Sequence, residues 1–163
     1  EIVKFNPPVT GFYTARFIRQ RFDGGREPFA VAWSSNMDTA ECIVSHTGTA
    51  QLGASITVNF ESRYQANKWY QGHISRKGIP STTNLGGGYI LPLLQDSVYL
   101  WSASLPGFSG TLNGNGEASA VMTIPNNASL ANQTFHLAMY TKNSVGAANI
   151  NTVSWAHTVL VLP

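Results

Sequence analysis

The sequence predicts an all-β fold, a mostly antiparallel β-sandwich or jelly roll of one domain with an N-terminal extension. Three observations predict it: short runs in which apolar and polar residues alternate, turn-forming residues between those runs, and no run combining helical length with a 3.6-residue period. The clearest strand is residues 54–61, where Ile56, Val58 and Phe60 point one way and Ser55, Thr57, Asn59 and Glu61 the other. Residues 117–124 repeat the pattern with Ala118, Ala120, Met122 and Ile124 inward, after Asn113-Gly114-Asn115-Gly116, residues that tolerate positive φ. Residues 109–124 are therefore expected to form a hairpin. Further β-rich runs lie at 11–22, 28–34, 41–46, 68–75, 89–94, 97–102, 134–141 and 152–162. Breakers separate them, among them Gly78-Ile79-Pro80, Gly86-Gly87-Gly88, Pro106-Gly107 and Pro125-Asn126-Asn127. Two runs are apolar on both faces: Val98, Tyr99, Leu100 and Trp101, and then Phe135, Leu137, Ala138, Met139 and Tyr140. Both read as central strands covered on two sides. The alternative is an exposed apolar face meant for a partner.

Composition narrows the function. The 163 residues are 43% hydrophobic and 11% charged, well under the roughly 25% of an ordinary soluble domain. The length supports a core without metal or disulfide staples, and the chain is expected to fold without metal or cofactor. A formal charge of +2 is too small to imply a nucleic-acid partner. No stretch approaches the roughly 20 apolar residues a membrane helix needs. Cys42 is the sole cysteine, which excludes an internal disulfide and any multi-cysteine metal site. The start at Glu1, without an initiator Met or a leader-like segment, fits a processed or excised chain and permits secretion.

No local motif carries chemistry. His46, His73, His136 and His157 are isolated from one another and from Cys42, so each reads first as a satisfied structural histidine; distant strand ends are the one route to a metal site. Gly107-Phe108-Ser109-Gly110 has Thr111 where a nucleophile elbow needs Gly, and reads as a turn. The eight acids, Glu1, Asp23, Glu27, Asp38, Glu41, Glu61, Asp96 and Glu117, include no short-range pair suited to glycoside hydrolysis. Arg16, Arg19, Arg21 and Arg26, interleaved with Phe17, Ile18 and Phe22, read as a solvated edge strand, with anionic-polymer binding as the alternative. Trp69 and Tyr70, with Asn67 and Gln71 beside them, are the candidate ligand-binding residues: a flat ring for a sugar and amide donors around it. Core burial is the competing account of these aromatics, and Trp33, Trp101 and Trp155 are expected in the core. Asn127-Ala128-Ser129 and Asn132-Gln133-Thr134 match the N-glycosylation triplet, which reads as chance.

One set of turn and strand residues carries a likeness. It comprises Gly48-Thr49-Ala50-Gln51-Leu52-Gly53, the strand 55–60, Gly86-Gly87-Gly88-Tyr89-Ile90-Leu91-Pro92-Leu93 and Phe108-Ser109-Gly110-Thr111-Leu112-Asn113. Gly116-Glu117-Ala118-Ser119-Ala120, Ile124-Pro125-Asn126, Leu130, Phe135-His136-Leu137-Ala138 and Val153-Ser154 complete it. Over residues 47–163 the chain resembles a β-rich C-terminal module of secreted and surface proteins of environmental Gram-negative bacteria. The resemblance implies an extracellular or cell-surface, non-catalytic structural or adhesive role. Its expected partners are neighbouring surface proteins or polysaccharide; the low charge, the two runs apolar on both faces and the arm at residues 1–8 add an expectation of self-association through an edge strand or that arm. Residues 1–46, expected as an N-terminal arm and first strands packed on the same domain, fall outside it. The cysteine pair often found before such modules is reduced here to Cys42. A lectin-like module and a hydrolase with a site assembled from distant strands are the alternative functions. Two carboxylates facing each other across a cleft would favour the hydrolase.

Overall fold

The computed structural model describes residues 42–163. The expected strands at 11–22 and 28–34, the arginine cluster, Trp33 and the arm at 1–8 lie outside the described residues.

The described chain is mostly antiparallel β-sheet with one short helix. β1 (Ile43–Thr47), β2 (Ser55–Glu61) and β7 (Glu117–Thr123) form one sheet in the order β1-β2-β7. β10 (His157–Leu160), β8 (Thr134–Lys142), β3 (Trp69–Ser75) and β6 (Ser109–Thr111) form a second, and β9 (Ile150–Val153) also pairs with β8. β4 (Thr83–Gly86) and β5 (Tyr89–Leu91) make a separate hairpin. No helix among the described residues is long and apolar enough to cross a membrane.

Alternation dictates the packing. Val44 from β1, Ile56, Val58 and Phe60 from β2 and Ala120 from β7 meet Tyr70, Ile74, Leu137, Met139 and Val159 of the second sheet in one core. Gly72 makes room for it: a Cβ there would lie 2.6 Å from the Phe60 ring and 3.2 Å from Phe108. The opposite face of the second sheet carries a smaller cluster, in which Leu91, Leu93 and Tyr99 pack on Ala138. β8 is therefore apolar on both faces because both are covered.

The structure corrects four expectations. Residues 97–102 are a helix, α1 (Ser97–Ser102), because the Asp96 carboxylate caps it by accepting from the Tyr99 N–H at 2.8 Å. It buries Tyr99 and Ser102 and leaves Leu100 and Trp101 exposed, so Trp101 is not core. Residues 109–124 do contain the expected tight turn, with Gly116 N–H donating to Asn113 O at 2.9 Å. The strands flanking it part instead of forming a hairpin, β6 joining β3 and β7 joining β2, because buried Phe108 and Leu112 hold the first arm against the second sheet. The closing run splits into β9 and β10 where Ser154 turns inward: its hydroxyl accepts from Met139 N–H at 2.9 Å. Trp155 is thereby turned out and is 73% exposed, also outside the core.

Candidate functional site

The four candidate residues, three of them on β3 (Trp69–Ser75) and Asn67 just before it, take different settings. Tyr70 faces the core, its ring 5.1 Å from that of Phe60, and its hydroxyl donates to Gly107 O at 2.6 Å. Burial pushes its pKa upward. Gln71 is also buried, with Nε2 within 3.0 Å of Gly72 O and 3.3 Å of both Ala103 O and Phe108 O. It pins β3 to the segment that follows α1. Asn67 is exposed at φ 61° on the turn that enters β3, and its backbone N–H donates to Asn113 O at 3.2 Å. Trp69 is half-buried, with its ring centroid 6.2 Å from that of Tyr140. Trp69 and Asn67 thus reach the surface, and Tyr70 and Gln71 hold the frame beneath them.

Register supplies what surrounds Trp69. Thr111 on β6 and Lys142 on β8 stand directly opposite it on its two sides. The Lys142 ammonium lies 5.6 Å from the centre of the Tyr140 ring, a cation–π contact that fixes the charge beside the aromatic row. At the same end of β8, Asn151 Nδ2 donates to Gln65 Oε1 at 2.9 Å and to Asn143 Oδ1 at 3.3 Å. The strip therefore offers a ring, a hydroxyl, an ammonium and several amides.

Farther along the same face the row closes. His73 stacks on Tyr99 at 3.9 Å and 3°, and its Nδ1 lies 3.3 Å from Tyr99 O. Burial pushes its pKa down to about 4, so the ring is neutral at pH 7. Burial, with Tyr140 nearby, pushes the Tyr99 hydroxyl up to about 12. These groups are locked under α1 and serve packing.

Two further constellations were hidden from local sequence reading. The outer face of the first sheet holds an open groove of about 440 Å³, lined by Ser45, Asn59, Glu61, Asn113, Glu117 and Ser119 among others. Glu61 and Glu117 stand directly opposite each other on β2 and β7, and Asn113 Nδ2 donates to Glu117 Oε2 at 3.3 Å. Strand pairing sets these two residues side by side across a long stretch of sequence. His46 and His157 also meet, Nδ1 to Nε2 at 2.7 Å, whereas His136 Nδ1 lies 3.2 Å from Thr158 Oγ1. No cluster of three or more His, Cys, Asp or Glu suited to a metal occurs among the described residues.

Comparison with protein-family models and with curated proteins finds no match to this chain.

Proposed function

We propose that the chain is a non-catalytic extracellular or cell-surface module of adhesive type, built as a β-sandwich, that holds polysaccharide on its Trp69 strip. The supporting observation is the register around Trp69, with Thr111 and Lys142 opposite a half-exposed indole on the central strand β3. An aromatic plane covers the C–H face of a sugar ring while flanking hydroxyl, ammonium and amide groups bond its hydroxyls. A shallow, pre-formed strip of this kind suits a long polymer, because binding then costs little ordering of the protein. Neighbouring surface proteins, copies of this chain included, are the further partners of this reading; exposed Val121 and Trp155 give them apolar contact points.

A glycan array with affinity electrophoresis in soluble polysaccharides tests the reading. The parent chain is expected to be retarded, Trp69→Ala to lose the retardation while keeping its fold, and Lys142→Ala to weaken it. No retention by any polysaccharide, or equal retention of the Trp69 variant, overturns it. The facing pair Glu61 and Glu117 favours a second reading, a glycoside hydrolase. Release of new reducing ends from a polysaccharide, abolished in both Glu61→Gln and Glu117→Gln, would put that reading first.

A further inference from the structure

The β4–β5 hairpin packs over the outer face of the second sheet, with Leu91 on Ala138 of β8, and β5 lies beside β9. Between this hairpin and the chain that enters β9 is an open cleft of about 340 Å³, lined by Leu85, Gly86, Gly87, Tyr89, Asn149 and Ile150 among others. Tyr89 is held at its wall because the phenol hydroxyl donates to Asn151 O at 3.3 Å, whereas Asn149 is exposed. The cleft continues the Trp69 strip. Thr111, Trp69, Lys142 and Ile150 stand in register from β6 through β3 and β8 to β9, and Ile150 also lines the cleft. With neighbouring strands about 4.8 Å apart, Trp69 and Ile150 are separated by two spacings, about 10 Å. Asn151 joins the two places again, since its carbonyl holds Tyr89 and its amide donates to Gln65 and Asn143 beside the strip.

Charge along this path has one sign. The described residues carry three acidic side chains. Glu61 and Glu117 belong to the first sheet, and the Asp96 carboxylate accepts from Tyr99 N–H, Arg76 N–H and the Ser75 hydroxyl at the start of α1. Lys142 is half-buried and meets the Tyr140 ring, with no carboxylate partner among the described residues. A carboxylate on a bound sugar would supply that partner through a charge-assisted hydrogen bond.

We propose that the polysaccharide held at Trp69 is an acidic one, bearing uronate carboxylates, and that it runs across the strands from Trp69 and Lys142 into the cleft at Tyr89. This rests on the polysaccharide reading of the strip and adds to it a ligand class and a path. Lys142 pairs with one carboxylate while Trp69 covers the adjoining sugar ring. Tyr89 and Asn149 take a ring farther along the chain. The span is wider than one sugar, so a monosaccharide fills only one of the two places and an oligosaccharide fills both. Added salt screens the ion pair and leaves the ring contacts in place.

Calorimetric titration of the full chain with galacturonate, alginate and glucuronate-containing oligomers of rising length, each against its carboxyl-reduced form, tests the assignment. At least one acidic series is expected to bind on the order of tenfold tighter than its reduced form, to weaken with added salt and to gain affinity with length. Lys142→Gln is expected to bring the acidic and reduced forms level, and Trp69→Ala to weaken both. Tyr89→Ala is expected to keep the affinity for the shortest oligomers and to lose the gain with length. Ala148→Trp, which fills the cleft from an exposed position, is expected to do the same. Arg76→Gln and Lys77→Gln, past the other end of β3, control for bulk charge and are expected to bind as the parent does. Equal or weaker binding of the acidic forms, or a preference that survives Lys142→Gln, overturns the ligand class. A length gain unchanged in the cleft variants overturns the path. Either result leaves polysaccharide binding at Trp69 standing, whereas binding of no oligomer in either form overturns that reading together with the proposal. Should Tyr89→Ala fail to fold, Ala148→Trp decides the path.

Discussion

The two faces of β3 and β8 share one backbone and solve different problems. The inner face, with Tyr70, Gly72, Ile74, Leu137 and Met139, closes around the Phe60 ring, and all five positions are buried. The outer face is graded: His73 and Gln71 lie buried under α1 and the segment after it, Tyr140 is half-covered, and Trp69 opens to solvent. The inner face packs apolar area, whereas the outer face gives its buried Gln71 and His73 backbone carbonyl partners. Accordingly, no buried side-chain nitrogen or oxygen among the described residues lacks a hydrogen-bond partner.

Truncating the inner face should have the largest effect. Phe60→Ala removes the ring that fills the space above Gly72 and is expected to cost about 3 to 5 kcal/mol in urea unfolding. A loss under about 1 kcal/mol would mean that the two sheets do not rely on this contact.

Acid should break the outer face next. The His73 pKa falls from an ordinary 6.5 to about 4 on folding, so below pH 6.5 the unfolded chain takes up a proton that the folded chain refuses. Stability from this group is complete above pH 6.5, declines as pH falls and levels off near pH 4. The total loss is about 3 kcal/mol. Unfolding midpoints of the parent and of His73→Gln, measured from pH 7 to pH 4, check it: the variant should show a shallower acid slope. Parallel slopes would show that His73 does not sense the burial.

Trp69→Ala should have the smallest effect on stability, about 1 kcal/mol, because the ring is half-buried and Tyr70 carries the core contact on the adjoining position. Thermal unfolding checks it. A loss as large as that of Phe60→Ala would move Trp69 from the outer face into the core and erase the contrast.

The contrast also explains what was readable in advance. β2 and β7 follow from a two-residue period, since one face of each meets the core and the other meets water. The run 97–102 misled because Val98, Tyr99, Leu100 and Trp101 suit a strand by composition, whereas the decisive residue was the capping Asp96 just before them. Of the candidate site, the exposure of Asn67 and the polar setting of Trp69 were legible. The burial of Tyr70 in the core and of Gln71 beneath the segment after α1 depends on which face of β3 meets which neighbour. Thr111, Lys142, the Glu61 and Glu117 pair and the two meeting histidines all depend on register between strands far apart in sequence. No local pattern encodes that.

Residues past β10 tie back to the segment around residue 50. Gln51 and Leu162 form a parallel bridge, with Leu162 N–H donating to Ala50 O at 2.7 Å and Leu52 N–H to Leu162 O at 3.1 Å. The loop so closed spans most of the described chain, and its entropy must be overcome before these bonds repay it. Contacts between residues so far apart in sequence form late, after the closure entropy has been overcome. During synthesis, the segment around residue 50 must therefore wait for residue 162 before its own backbone is satisfied.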